Sequence, residues 1–225
     1  MQPLPQAPTG GPTFVRLLAR LADAGPVAVG PPLAEPLSRW IDWNRAVALS
    51  TALDGRPPPP DSDVPLFDDA EDAACAAARD ALRRAAVDER AAPVPADAPP
   101  EFPVFRKRYV KLQQAMQATT GRLRGELRDR LPRVSPDLAR LAEVDAAMER
   151  VLGPREYTLL AKVPDVLEIH YARLRDAAPA ATDPARPGPW LDAFRRDMHD
   201  AALAELDVRF LPIDALLAAL RADPR

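Results

Sequence analysis

Any chemistry in this chain has to come from a short set of side chains: His170, His199, Cys75, the carboxylate pair Asp145 and Glu149, and a run of bases from Arg106 to Arg133. A histidine can work as an acid–base group or a metal ligand. His170 falls in helical register with Val163, Leu167 and Leu174, which places it on an apolar face and makes it a packing residue first. His199 lies between Asp197 and Asp200, beside Arg195 and Arg196, and could pair with a carboxylate across helices. The two are far apart in sequence and neither belongs to a His-Glu-x-x-His or Glu-x-x-His pattern, so no metal ligand or catalytic residue is assigned and no cofactor is expected. Cys75 would be a nucleophile only with a lowered pKa. Its helical neighbours Glu71, Asp72, Ala78 and Leu82 act the other way, and a buried, inert thiol is expected. Asp145 and Glu149 stand four apart, a spacing that suits general acid–base work but more often marks surface pairing, here with Arg140 and Arg150.

The densest charge feature is the set Arg106, Lys107, Arg108, Lys111, Arg122, Arg124 and Arg128, continued by Arg130 and Arg133 and opposed only by Glu126 and Asp129. Such a stretch can track phosphates or an acidic protein surface. It can also be a solvated helix face, or dock on the acidic stretch Asp61 to Asp72 of the same chain. The bases occupy several faces and no aromatic stacking platform is interleaved, which favours the structural reading. The seven residues are nevertheless the candidate interaction surface. Gly-rich phosphate loops, Gly-x-Ser-x-Gly and kinase signatures are absent.

The elements that must hold these residues are punctuated by proline. There are 28 prolines in 225 residues. Most sit before an apolar periodic run, where the missing N–H costs nothing, or in three clusters between runs. Alanine and leucine dominate an apolar content of 47%, with 5% aromatics, so helices are expected throughout and no convincing strand alternation appears. The expected fold is all-α, an elongated helical bundle on a long antiparallel hairpin. Residues 1–56 form an N-terminal helical segment, 57–68 a proline and acidic linker, and 69–92 an Ala-rich helix. A second linker, 93–103, leads to a helical core over 104–178, a third linker over 179–189, and C-terminal helices over 190–225.

Within the first segment a helix is expected over Pro12 to Ala24, with Phe14, Leu17, Leu18 and Leu21 on one stripe. A second covers Leu33 to Leu53, whole or kinked near Asp42. The longest helix, Val104 to Leu131, spans on the order of 40 Å. Tyr109, Leu112, Met116, Thr119, Leu123 and Leu127 recur along it close to a heptad seam, which suggests a coiled coil. Pro132 should end it, and Ser135-Pro136-Asp137 should begin its partner, whose stripe is Leu138, Leu141, Val144, Met148 and Leu152. Further breaks are expected at Pro154, Pro164 and Pro212.

The net charge of −3 argues against whole-molecule attraction to nucleic acid or anionic lipid. A lone cysteine excludes an intramolecular disulfide and fits a reducing compartment. No secretory signal and no stretch of about 20 apolar residues is present, so a cytoplasmic address without membrane insertion is expected.

Three stretches carry a resemblance: GPTFVRLLARL from Gly11, WNRAVALSTAL from Trp43 and WLDAFRRDM from Trp190. Together with Arg108 to Met116 and Met148 to Leu160, they resemble an uncharacterised proteobacterial domain-of-unknown-function family of about this length. The resemblance supplies no catalytic motif. It implies genes beside those for OmpA-like and MotA/TolQ-like envelope proteins, and hence an accessory role near an envelope complex. The expected function is therefore that of a non-enzymatic helical interaction protein with protein partners, self-association included. The alternative is nucleic-acid binding through the basic helix 104–133, and an enzyme using His199 ranks last.

Overall fold

A computed structural model describes residues 13–22, 43–55, 63, 67–93, 101–178 and 188–222. All regular structure among them is helical: α1 Thr13–Leu21, α2 Trp43–Asp54, α3 Asp69–Ala91, α4 Phe102–Val134, α5 Pro136–Leu160, α6 Val163–Asp176 and α7 Pro189–Ala222. The chain is all-α, as its composition implies. Leu33 to Asp42, the tetraproline stretch and most of the two later linkers lie outside the described residues.

Local chemistry sets several helix starts. Asp68 caps α3, accepting from the Ala70 N–H at 2.6 Å, and Glu71 returns a bond to the Asp68 N–H at 2.8 Å, a reciprocal capping box. Ser135 caps α5 through the Leu138 N–H at 3.3 Å, with Pro136 and Asp137 in the first turn. Pro164 sits in the first turn of α6. In α1, Phe14 and Leu21 are buried and Leu17 and Leu18 half-buried.

Three proline stops do not occur. α4 continues through Pro132, α5 through Pro154 and α7 through Pro212, so the C-terminal helices expected on either side of Pro212 are one helix, Pro189–Ala222. An interior proline costs about 3 kcal/mol through a lost hydrogen bond and a clash with the carbonyl four residues back. Those residues, Arg128, Arg150 and Val208, are exposed or half-buried, so none of the three breaks falls at a fully buried residue. Apolar side chains on either side of the break are buried: Val151 and Leu160 in α5, Phe210 and Ile213 in α7. At about 1.5–3 kcal/mol per buried apolar side chain, burying both flanks of the helix outweighs the break.

The seam of α4 also differs from a heptad. The buried residues are Phe102, Phe105, Tyr109, Leu112, Met116, Thr120, Leu123, Leu127 and Leu131. Thr120 replaces Thr119, and from Tyr109 onward the spacing repeats 3, 4, 4. That is an 11-residue period, close to that of a straight α-helix rather than a left-handed coiled coil. The main partner of α4 is α7, with α5 next; α3 packs on both α7 and α4, α6 on α7 and α4, α1 on α7 and α6, and α2 on α5. Along α5 the buried positions are Leu138, Ala139, Ala142, Ala147 and Val151, whereas Leu141, Val144, Met148 and Leu152 are only half-buried. Leu138 and Ala142 belong to the main core, with Leu141 packed against it, and α5 is shared between α4 and α2. An aromatic cluster joins the starts of α4 and α7 to α6: Phe105 and Tyr171 lie 5.2 and 5.1 Å from Phe194 between centroids, and Tyr171 lies 5.2 Å from Trp190.

Candidate functional site

His170 is buried in the aromatic cluster and bonded at both ring nitrogens. Arg173 lies 3.0 Å from Nδ1 and Asp197 Oδ2 lies 2.7 Å from Nε2. A guanidinium only donates, so Nδ1 accepts and Nε2 carries the proton that is donated to Asp197. The carboxylate beside His199 in sequence thus serves His170, while His199 Nδ1 faces the Ala86 carbonyl at 3.2 Å. Cys75 is buried, and burial first, then the Asp72, Glu126 and Asp214 carboxylates, push its thiol up. No group of three or more potential metal ligands occurs among the described residues.

Asp145 and Glu149 do pair, but across helices with Arg124 and Arg128 of α4 rather than with Arg140 and Arg150. Arg124 donates Nε and Nη2 to the two Asp145 oxygens at 2.9 and 2.7 Å, a bidentate fork, and its Nη1 lies 3.6 Å from Glu149. Arg128 donates to Glu149. Burial pulls the Arg124 guanidinium down, but the Asp145 bond and the Asp145, Glu149 and Glu156 charges outweigh it and hold it above its ordinary range.

The other sequence-selected bases are placed separately. Arg106 meets Asp165 and Glu168 at 2.8 and 3.2 Å. Arg108 donates to the Pro93 carbonyl at 2.8 Å, and Arg195 reaches the Arg90 and Ala92 carbonyls, so two arginines satisfy the orphaned end of α3. Lys111 lies 3.9 Å from Glu89 and Arg122 bonds Glu126 at 2.7 Å within α4. Arg130 meets Glu71 at 2.7 Å and Arg221 holds Asp72 at 2.5 Å, so the acidic start of α3 is held by bases from both α4 and α7. Lys107 is exposed.

The most densely bonded polar group among the described residues is none of the candidates that the sequence selects. Glu205 is fully buried. It accepts from Tyr109 Oη at 2.9 Å, from Gln113 Nε2 at 3.0 and 3.1 Å, and from Arg209 Nε and Nη2 at 2.9 and 2.8 Å. Gln113 also donates to the Leu160 carbonyl at 2.9 Å, tying the end of α5 to the same network. Burial first, then Glu205, drive the Tyr109 hydroxyl well above its ordinary pKa. The Glu205–Arg209 spacing of four was the available signal, but surface pairs show the same spacing.

Arg209 also lines a cleft of about 250 Å³ at the junction of α4, α5 and α7, with Thr120, Gly121, Gly153, Glu156, Tyr157 and Pro212 among its walls. A Cβ at Gly121 or Gly153 would meet no heavy atom within 4 Å. The missing side chains are part of what opens the space. Arg124 and Glu149 form another wall, so the cleft joins the buried Glu205 network to the inter-helix charge cluster. This is the candidate functional site, and of the sequence-selected bases it contains Arg124 alone.

No curated protein and no solved structure matches the chain. A family model described as "Protein of unknown function (DUF3348)" matches residues 1–222. The match takes in the seven helices of the described residues, and the chain belongs to the DUF3348 family.

Proposed function

We propose that this protein is a non-enzymatic helical interaction protein of the cytoplasm that serves a protein partner in an envelope-associated assembly. One observation carries the reading. Tyr157 and Leu159 at the end of α5, Ile169 on α6 and Leu211 on α7 are each 60 or 61% exposed. Large apolar side chains held this far into solvent are the anchors that a surface meeting another molecule would use. The groups able to do chemistry are meanwhile occupied structurally: the Cys75 thiol is buried and pushed up, and both histidines hold internal partners.

Site-specific photocrosslinking in the native host tests the reading, with the reactive group at Leu159 or Ile169 and a control at the exposed Lys107. A discrete protein adduct from the first two positions and none from the control supports it. Equal or absent labelling at all three defeats it. An adduct of doubled mass identifies the partner as a second copy, and a nuclease-sensitive adduct moves the reading to nucleic-acid binding by helix 104–133. That alternative has to exchange the partners of Arg106, Arg108, Arg122, Arg124 and Arg128 for phosphates.

A further inference from the structure

The cleft at the junction of α4, α5 and α7 has an unbalanced set of hydrogen-bonding groups. Its arginines are largely spent: Arg124 on Asp145, and Nε and Nη2 of Arg209 on Glu205. Beside them the space is faced by the Gln117 amide and by the acceptor groups of Thr120 and Glu156. Thr120 is 9% exposed and lines the cleft, and its hydroxyl proton is committed to the Met116 carbonyl at 2.9 Å. The hydroxyl therefore offers the cleft lone pairs. Glu156 lines the opposite wall and has no base three or four residues away on its own helix, where Leu152, Gly153, Leu159 and Leu160 stand. The charged groups that line the cleft, Arg124, Glu149, Glu156 and Arg209, balance one another; with the partners behind them counted as well, the four carboxylates Asp145, Glu149, Glu156 and Glu205 stand against the three guanidiniums Arg124, Arg128 and Arg209, leaving one negative charge in excess.

A ligand that complements such a space is a cation rich in N–H donors on a narrow apolar stem. The stem would run over Gly121, Gly153 and Pro212, where no side chain stands in its way. The Tyr157 ring, 61% exposed at the rim, supplies a face on which a planar cation can stack. We infer that this cleft receives the guanidinium side chain of an arginine on a partner protein, bound between Glu156, the Thr120 hydroxyl and the Tyr157 ring. The inference rests on the interaction reading for the molecule that carries the arginine, and on the cleft alone for the chemistry.

Titration of the full-length protein with N-acetylarginine amide, followed by NMR at the Gly121 and Gly153 amides, tests the site. Saturable shifts at both glycines are expected, with no comparable response to N-acetylcitrulline amide, the neutral analogue of the same shape. Glu156→Gln should weaken binding by roughly three- to tenfold, the range for losing one charge-assisted contact at a partly open site. Gly153→Leu should abolish the shifts at Gly121 while leaving the thermal midpoint unchanged or higher, because it fills the cleft without displacing an atom at its Cβ. That variant separates loss of the site from loss of the fold. Equal binding of the citrulline analogue, an unaffected Glu156→Gln variant, or inorganic phosphate shifting the same glycines would overturn the assignment. Tighter binding of putrescine than of N-acetylarginine amide would overturn the arginine side chain as the occupant. The titration needs no partner, so a silent cleft removes this inference and leaves any crosslinks from Leu159 and Ile169 standing.

Discussion

Glu205 has no exposure to water and carries a charge, an arrangement that is tolerated only when the carboxylate is fully bonded. Tyr109, Gln113 and Arg209 meet that condition, drawing α4 and α7 onto one point. A hydrogen bond to a charged group contributes about 1.5–3 kcal/mol, so Tyr109→Phe should lower unfolding free energy by about that amount in denaturant titration at neutral pH. The pH dependence follows from the raised tyrosine pKa. The unfolded chain releases the Tyr109 proton near the ordinary value of about 10, whereas the folded chain retains it, so the folded state loses relative stability as pH rises through that value. Cys75 and Tyr171 are raised as well and contribute in the same direction. The phenylalanine variant lacks one of the three groups and should therefore lose less stability than the parent as pH rises from about 9 to about 11, the range that opens at the ordinary thiol and phenol values. An identical alkaline loss in both proteins would show that Tyr109 does not titrate with folding.

At the scale of the element, α4 runs unbroken for 33 residues, or about 50 Å, despite Gly121, Gly125 and Pro132. Gly125 is half-exposed and a Cβ there meets nothing within 4 Å, so no close approach requires glycine. Gly125→Ala should raise stability by about 1 kcal/mol from helix propensity alone, visible as an upward shift of the circular-dichroism melting curve. A fall would mean that the added methyl meets a neighbouring group within the folded chain. Helix starts were largely legible in the sequence because capping is local: Asp68 with Glu71, Ser135 with Pro136, and Pro164 at the start of α6 all act within one turn. Helix ends at proline were not. Whether Pro154 or Pro212 breaks a helix depends on what is buried on both sides of it, and Phe210 and Ile213 find their core only through contacts distant in sequence. The seam of α4 shows the same divide: apolar spacing located the stripe, and the neighbours chose Thr120 over Thr119.

At the scale of the whole molecule, α7 is the partner that completes α4, contributing buried Leu191, Phe194, Met198, Leu206, Phe210, Ile213 and Leu216 among others. A chain ending at residue 187 would leave the α4 seam without its main cover, and it should keep helical circular dichroism while losing a cooperative thermal transition. A sharp transition in that fragment would place the stable core in α4, α5 and α6 alone. The individual charges also acquire their meaning at this scale. Arg108 and Arg195 close the end of α3, Arg130 and Arg221 hold its acidic start, and Arg124 and Arg128 join α4 to α5. By itself the sequence determined the helical class, the apolar stripes and most capped starts, since each follows from side-chain spacing within a turn or two. Only the tertiary structure decided that α7 covers α4, that Glu205 is buried and that a cleft opens at Gly121 and Gly153. Those outcomes depend on which distant faces meet, and one-dimensional spacing carries no information about the far side of a contact.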